Sequence, residues 1–154
     1  MTTEVYNFWS LILQMIVAGA VFATVVVYYL QLRAMQKSAV ASNILALINF
    51  LQQPRVHDAR TVVRSQLKSK SYEQWTVEDK RAASVVCSTY DIAGLLILDL
   101  DVVPEAPFIS SWGPSIRDCY EVLKPFHSEM RSEKNSGSEY WKVFERLAAK
   151  ANEK

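Results

Sequence analysis

Hydrophobic and polar positions divide this chain at Arg33. Between Glu4 and Arg33 there are 28 consecutive residues without an Asp, Glu, Lys or Arg. Within them "LILQMIVAGAVFATVVVYYL", Leu11 to Leu30, is an almost unbroken apolar run. At about 1.5 Å of helical rise per residue it matches a hydrocarbon core of about 30 Å, so it predicts a transmembrane helix. Tyr6, Phe8 and Trp9 on one side and Tyr28 and Tyr29 on the other fall where amphipathic rings favour the membrane interface. Past Arg33 the pattern becomes amphipathic. Val40, Ile44, Ile48 and Leu51 recur at helical spacing as far as Gln53, and Pro54 closes the run. No Gly or Pro intervenes between Gly19 and Pro54, so the membrane helix is expected to continue into a stiff stalk.

The remainder reads as a set of shorter helices. One opens at Pro54 and buries Val56, Ala59, Val63 and Leu67. Another starts after Trp75, where Thr76 and Asp79 form a capping box and Val85, Val86, Ala93, Leu96 and Ile97 supply the apolar face. "LDLDVVPEAP" is expected to end it; the alternation in "LLILDLDVV" resembles a strand that would have no partner. Gly113 and Pro114 mark the start of the next helix, with Ile116, Cys119, Tyr120 and Leu123 on one stripe, and Pro125 is expected to kink or break it. A turn around Gly137 leads to a last helix with Trp141, Phe144, Leu147, Ala148 and Ala151 inward. The expected fold is all-α: one N-terminal transmembrane helix continuing into a stalk, then a small cytoplasmic helical bundle. Its divisions are an anchor over 1–32, a juxtamembrane helix over 33–53 and a helical domain over 54–154.

Charge adds orientation. All 17 basic residues and 15 of the 16 acidic ones lie at or beyond Arg33, a net 17 − 15 = +2 for that portion, too weak an imbalance to imply a nucleic-acid partner. The N-terminal flank has no Lys or Arg, whereas Arg33 and Lys37 follow the span, so the N-terminus is expected outside and the domain inside the cytoplasmic membrane. A cleaved signal peptide competes, since Ala18-Gly19-Ala20 offers a cleavage site, but Glu4 and the apolar run past Ala20 disfavour it. Cys87 and Cys119 belong to no ligand cluster and are expected to be reduced and buried.

Candidate chemistry is sparse, and no catalytic group, cofactor or metal is expected. "WGPSIRDCYEVLKPF" gathers Ser115, Arg117, Asp118, Cys119 and Tyr120, but its apolar spacing identifies a packing helix, with Trp112 and Leu123 in the core and Ser115 dispensable. Asp99, Asp101 and Glu105 lack the spacing of a calcium loop. His57, Asp58 and Arg60 could form an acid/base group, but neighbours one apart on a helix point in different directions, and without a nucleophile the three specify no reaction. Gly19 and Ala23, with Ala20 beside them and the amide of Gln14 nearby, either form a helix–helix interface within the bilayer or simply face lipid. Arg33, Lys37, Arg60, Arg64 and Lys68 are candidates for contact with anionic lipid; the last three share a helix face that meets anionic headgroups or a phosphorylated ligand, or else is a solvated surface, which is the favoured reading. Arg131 and Glu145, with Arg117 as a third member, form a structural ion pair or line a ligand pocket.

The residues "YDIAGLL", "WGPSI", "YEVLKPF", Arg131 and "YWKVFERLA", from Tyr90 to Ala151, resemble a family of small bacterial and phage proteins catalogued as a domain of unknown function, often with an N-terminal membrane helix. The resemblance implies an all-helical domain and assigns no reaction or ligand. The expected function is a single-pass, membrane-anchored, non-catalytic interaction or accessory subunit of a larger membrane assembly, partnered by the bilayer and by other membrane proteins or itself. The alternative is a membrane-tethered enzyme or ligand sensor using Arg131, Glu145 and Arg117 or Asp91.

Overall fold

A computed structural model of the chain describes residues 3–132 and 139–153, and all of its elements there are helical. The turn expected around Gly137 lies outside the described residues. The chain forms two compact units, Met1–Ala41 and Ser42–Lys154. Helix α1, Thr3–Leu51, is continuous and contributes to both.

In the N-terminal unit the side chains from Leu13 to Leu30 are exposed, Phe22 by 72% and Met15 by 69%. The helix satisfies its own backbone, so the side chains alone decide what surrounds it. Its most apolar 18-residue window has a mean hydropathy of 2.3, and it is long and apolar enough to cross a membrane.

The C-terminal unit begins ten residues before the end of α1, because Leu47 and Leu51 are buried in its core. Helix α2, Pro54–Thr61, starts on a proline whose missing N–H has no intrahelical partner to lose. It runs on through a π turn, Val62–Gln66, and a 3-10 turn, Leu67–Ser69, with Val56, Ala59, Val63 and Leu67 all buried. Helix α3, Val77–Gly94, opens on the capping box: Asp79 N–H donates to Thr76 Oγ1 at 3.2 Å and Thr76 N–H to Asp79 Oδ2 at 2.9 Å. The Thr76 backbone bond and then Lys70, 2.9 Å away, hold the Asp79 carboxyl below its ordinary pKa.

A π turn, Leu95–Asp99, extends α3, so "LLILDLDVV" is helix end and loop. This helix is also long enough to span, with a mean hydropathy of 1.4, but 44% of that window is buried in the unit's own core. Helix α4, Glu105–Met130, starts eight residues before Gly113 and passes unbroken through Pro114 and Pro125. The predicted start at Gly113 is therefore wrong, and of the kink or break expected at Pro125 the break does not occur. Both prolines are exposed, as are Ser110 and Glu121 four residues earlier, so the carbonyls that lose their partner can be met by water. Pro107 sits in the first turn, where the N–H is unpaired anyway.

Helix α5, Lys142–Asn152, lies across α3 and α4 with Phe144, Leu147, Ala148 and Ala151 fully covered. Tyr90 stacks on Phe144 at 5.2 Å, and Tyr120 meets the same ring edge-on at 5.4 Å. Trp141, at left-handed φ 51, leads into α5 and is held by Phe126, stacked at 5.4 Å, and by its Nε1–H bond to Ser88 Oγ at 3.2 Å.

Candidate functional site

Within the C-terminal unit the charges expected in a pocket are tied to the last helix. Arg131 Nη1 donates to Glu145 Oε2 at 2.7 Å, and its Nε donates to the Tyr140 carbonyl at 2.8 Å. The Arg131 bond holds the Glu145 carboxyl below its ordinary pKa. Arg117 does not join them. Its Nη1 donates to the Ala151 carbonyl at 2.5 Å, where a cation meets the negative end of α5. Asp91 Oδ1 accepts from the Phe144 N–H at 2.9 Å, which places an anion at the positive end of the same helix.

The second group is buried. Cys87 Sγ and His127 Nε2 lie 3.3 Å apart, brought together from α3 and α4. Burial raises the Cys87 thiol far above its ordinary pKa, and burial, then Arg131, lowers the imidazole to about 4. Burial also raises the Cys119 thiol to about 11. Both partners of the contact are therefore neutral near pH 7, unlike the thiolate–imidazolium pair of an activated nucleophile. Spacing could not reveal this contact, because 40 residues separate the two side chains. Ser115 Oγ pairs with Tyr90 OH at 2.9 Å. Among the described residues no group of three or more His, Cys, Asp or Glu is arranged to hold a metal, and Asp99 is engaged by Arg146 at 2.7 Å.

The third group is open. An accessible cleft of about 540 Å³ lies between α2 with its π turn and α4. Arg60, Arg64 and Lys68 line one side, and Trp112, Ser115 and Asp118 the other. Arg60 is only 8% exposed, which corrects the reading of a solvated face at this one position; Arg64 and Lys68 are exposed. Arg60 Nη2 donates to the Leu51 carbonyl at 2.8 Å, and its guanidinium lies 4.8 Å from the centre of the Trp112 ring. Arg64 Nη2 meets Asp118 Oδ2 at 3.0 Å with both side chains about half exposed. Trp112 is half-buried: it packs against the core and also lines this cleft.

Arg33 and Lys37 belong to the N-terminal unit, where Arg33 stands 5.8 Å from the centre of the Tyr29 ring. In the same unit Gly19, Ala20 and Ala23 are exposed, and a Cβ added at Gly19 would meet nothing within 4 Å. Gln14 does not share their face. Nine positions separate it from Ala23, about two and a half turns, which puts the two on opposite sides of α1.

No curated protein and no solved structure matches the chain. The family described as Domain of unknown function (DUF4760) matches residues 6–151. That match takes in the apolar helix as well as the half of the chain whose residues carry the resemblance, and the protein belongs to this family.

Proposed function

We propose that the protein is a single-pass membrane subunit whose helical domain serves as an interaction module on the cytoplasmic side. The observation that carries this reading is the uncharged stretch of α1 from Leu13 to Leu30, whose side chains are all exposed. Transfer of such a stretch from water to hydrocarbon is favourable by about 25 cal/mol for each Å² of apolar surface. Arg33 and Lys37 after the span orient it with the N-terminus outside the cytoplasmic membrane.

Within the membrane the small side chains of Gly19 and Ala23 supply a face that a second helix can approach closely, either from another subunit or from a second copy. The alternative built on Arg131, Glu145, Arg117 and Asp91 draws little support from their geometry, since Arg131, Arg117 and Asp91 are bonded to α5 or to the segment leading into it and Glu145, within α5, is bonded to Arg131.

Alkaline extraction of membranes carrying the full chain tests the anchor, and protease digestion of intact spheroplasts and of inverted vesicles tests the orientation. The chain is expected to stay with the membrane, and a C-terminal tag is expected to be cut only in inverted vesicles. Release by alkali, or cleavage of the tag in intact spheroplasts, overturns the anchored reading. Sizing the particle in a mild detergent tests the interaction role, and a 17.5 kDa monomer without a stoichiometric partner would exclude it.

A further inference from the structure

We propose that the cleft between α2 and α4 binds a phosphate-bearing ligand through Arg60, Arg64 and Lys68. The inference goes beyond the anchoring role and does not depend on it. Its first support is Arg60, a residue only 8% exposed that lines the cleft and forms no ion pair among the described residues. A buried charge is costly unless it is paired. The bond to the Leu51 carbonyl and the ring of Trp112 fix where the guanidinium lies but bring no opposite charge.

Charge balance selects the ligand. Among its Lys, Arg, Asp and Glu residues the lining holds three cations, Arg60, Arg64 and Lys68, against one carboxylate, Asp118, a balance of 3 − 1 = +2. A phosphate monoester brings about −1.5 to −2 at pH 7, whereas a single carboxylate would leave the site positive. Two arginine forks suit the tetrahedral oxygens of phosphate, and the lysine adds a point charge.

Register brings the three together. Residues four apart on an α-helix drift by about 40° per step. The π turn from Val62 to Gln66 takes in extra chain per turn and offsets that drift across Arg64, so the stripe stays on the cleft side. The volume of about 540 Å³ exceeds what a bare phosphate would fill, and it lies in the range of sites for small organic ligands. Trp112 and Val122 provide apolar wall for the remainder of the molecule, while Thr61, Ser65 and Ser115 place hydroxyls around the rim. Such a ligand could be a soluble phosphate ester or the headgroup of a lipid.

The test is titration of the full chain in an uncharged maltoside detergent, followed by calorimetry, with ribose 5-phosphate in one arm and dihexanoyl phosphatidic acid in the other. Saturable binding of the sugar phosphate assigns the soluble source, and binding of the short-chain lipid alone assigns the headgroup. In either case Arg64→Gln and Lys68→Gln are each expected to weaken binding about ten-fold, the loss of one charge-assisted bond. Both positions are exposed, so these variants keep the wild-type melting transition even if Arg60→Gln does not fold. Lys124→Gln, outside the cleft, is expected to bind as the parent does. Absence of binding by both probes up to about 10 mM overturns the proposal. So does binding that Arg64→Gln and Lys68→Gln leave unchanged.

Discussion

His127 Nε2 lies 3.3 Å from Cys87 Sγ in a buried contact between α3 and α4, and the imidazole is held neutral by burial and by Arg131, with Glu145 opposing. Its pKa falls from 6.5 to about 4 on folding. Between those values the unfolded chain binds the proton and the folded chain does not, so stability declines as pH drops through that window. Going from pH 7 to pH 5 is expected to cost roughly 2 kcal/mol. Asp79 and Glu145 have lowered carboxyl pKa values, so their stabilising contribution is lost only at more acidic pH. Denaturant midpoints at pH 7, 6 and 5 measure the slope, and His127→Gln is expected to flatten it. An equal slope in that variant would assign the effect to another group.

Asp91 is expected to matter through the end of α5. Asp91→Ala removes the acceptor of the Phe144 N–H and is expected to destabilise the domain by about 1 to 2 kcal/mol. Asp91→Asn, whose amide oxygen can still accept, is expected to lose less. Chemical denaturation of the three proteins ranks them, and equal midpoints would remove the cap from the account.

Gly94 is where α3 approaches α5 closely. A Cβ there would come within 2.8 Å of Val143 Cγ1 and 3.1 Å of the Val143 carbonyl oxygen. A branched side chain and a backbone atom cannot both yield cheaply, so Gly94→Ala is expected to destabilise by about 1 to 3 kcal/mol. Thermal melting checks it; a neutral result would mean that α5 slides aside at no cost.

Leu123 and Ser115 separate packing from chemistry in α4. Leu123 is fully buried, so Leu123→Ala is expected to cost roughly 2 to 5 kcal/mol. Ser115→Ala leaves the Tyr90 hydroxyl without its 2.9 Å partner and is expected to cost about 1 kcal/mol, so it is not silent as its position in the sequence suggests. Thermal unfolding of both variants, set beside a cellular assay, distinguishes the roles. Loss of cellular function in a fully stable Ser115→Ala protein would point to chemistry at this serine.

On the proposed reading of α1 as a membrane span with Gly19 at a helix interface, Gly19→Leu is expected to weaken association while leaving insertion intact, because a large side chain blocks close approach yet adds apolar surface. Particle size in detergent and alkaline extraction report the two properties separately. Unchanged association would place Gly19 against lipid.

Local information determined the helices, the apolar stretch of α1 and the buried faces of α2 and α5, because each rests on a 3.6-residue period and on end signals such as Thr76 with Asp79. The same information misjudged α4, since a proline's effect depends on whether water or protein faces the carbonyl it frees, and Pro114 and Pro125 turn out to face solvent. Contacts across the chain were beyond it. The stripe of Arg60, Arg64 and Lys68 was visible as spacing, but only the packing of α4 against α2 made it one wall of a cleft and buried Arg60. Cys87 and His127, and likewise Asp91 and Phe144, meet because α3 is packed against α4 and α5. Periodicity says which side of a helix turns inward. What it meets there, and so whether a charge is solvated, paired or left waiting for a ligand, depends on helices distant in sequence, and tertiary structure alone decides it.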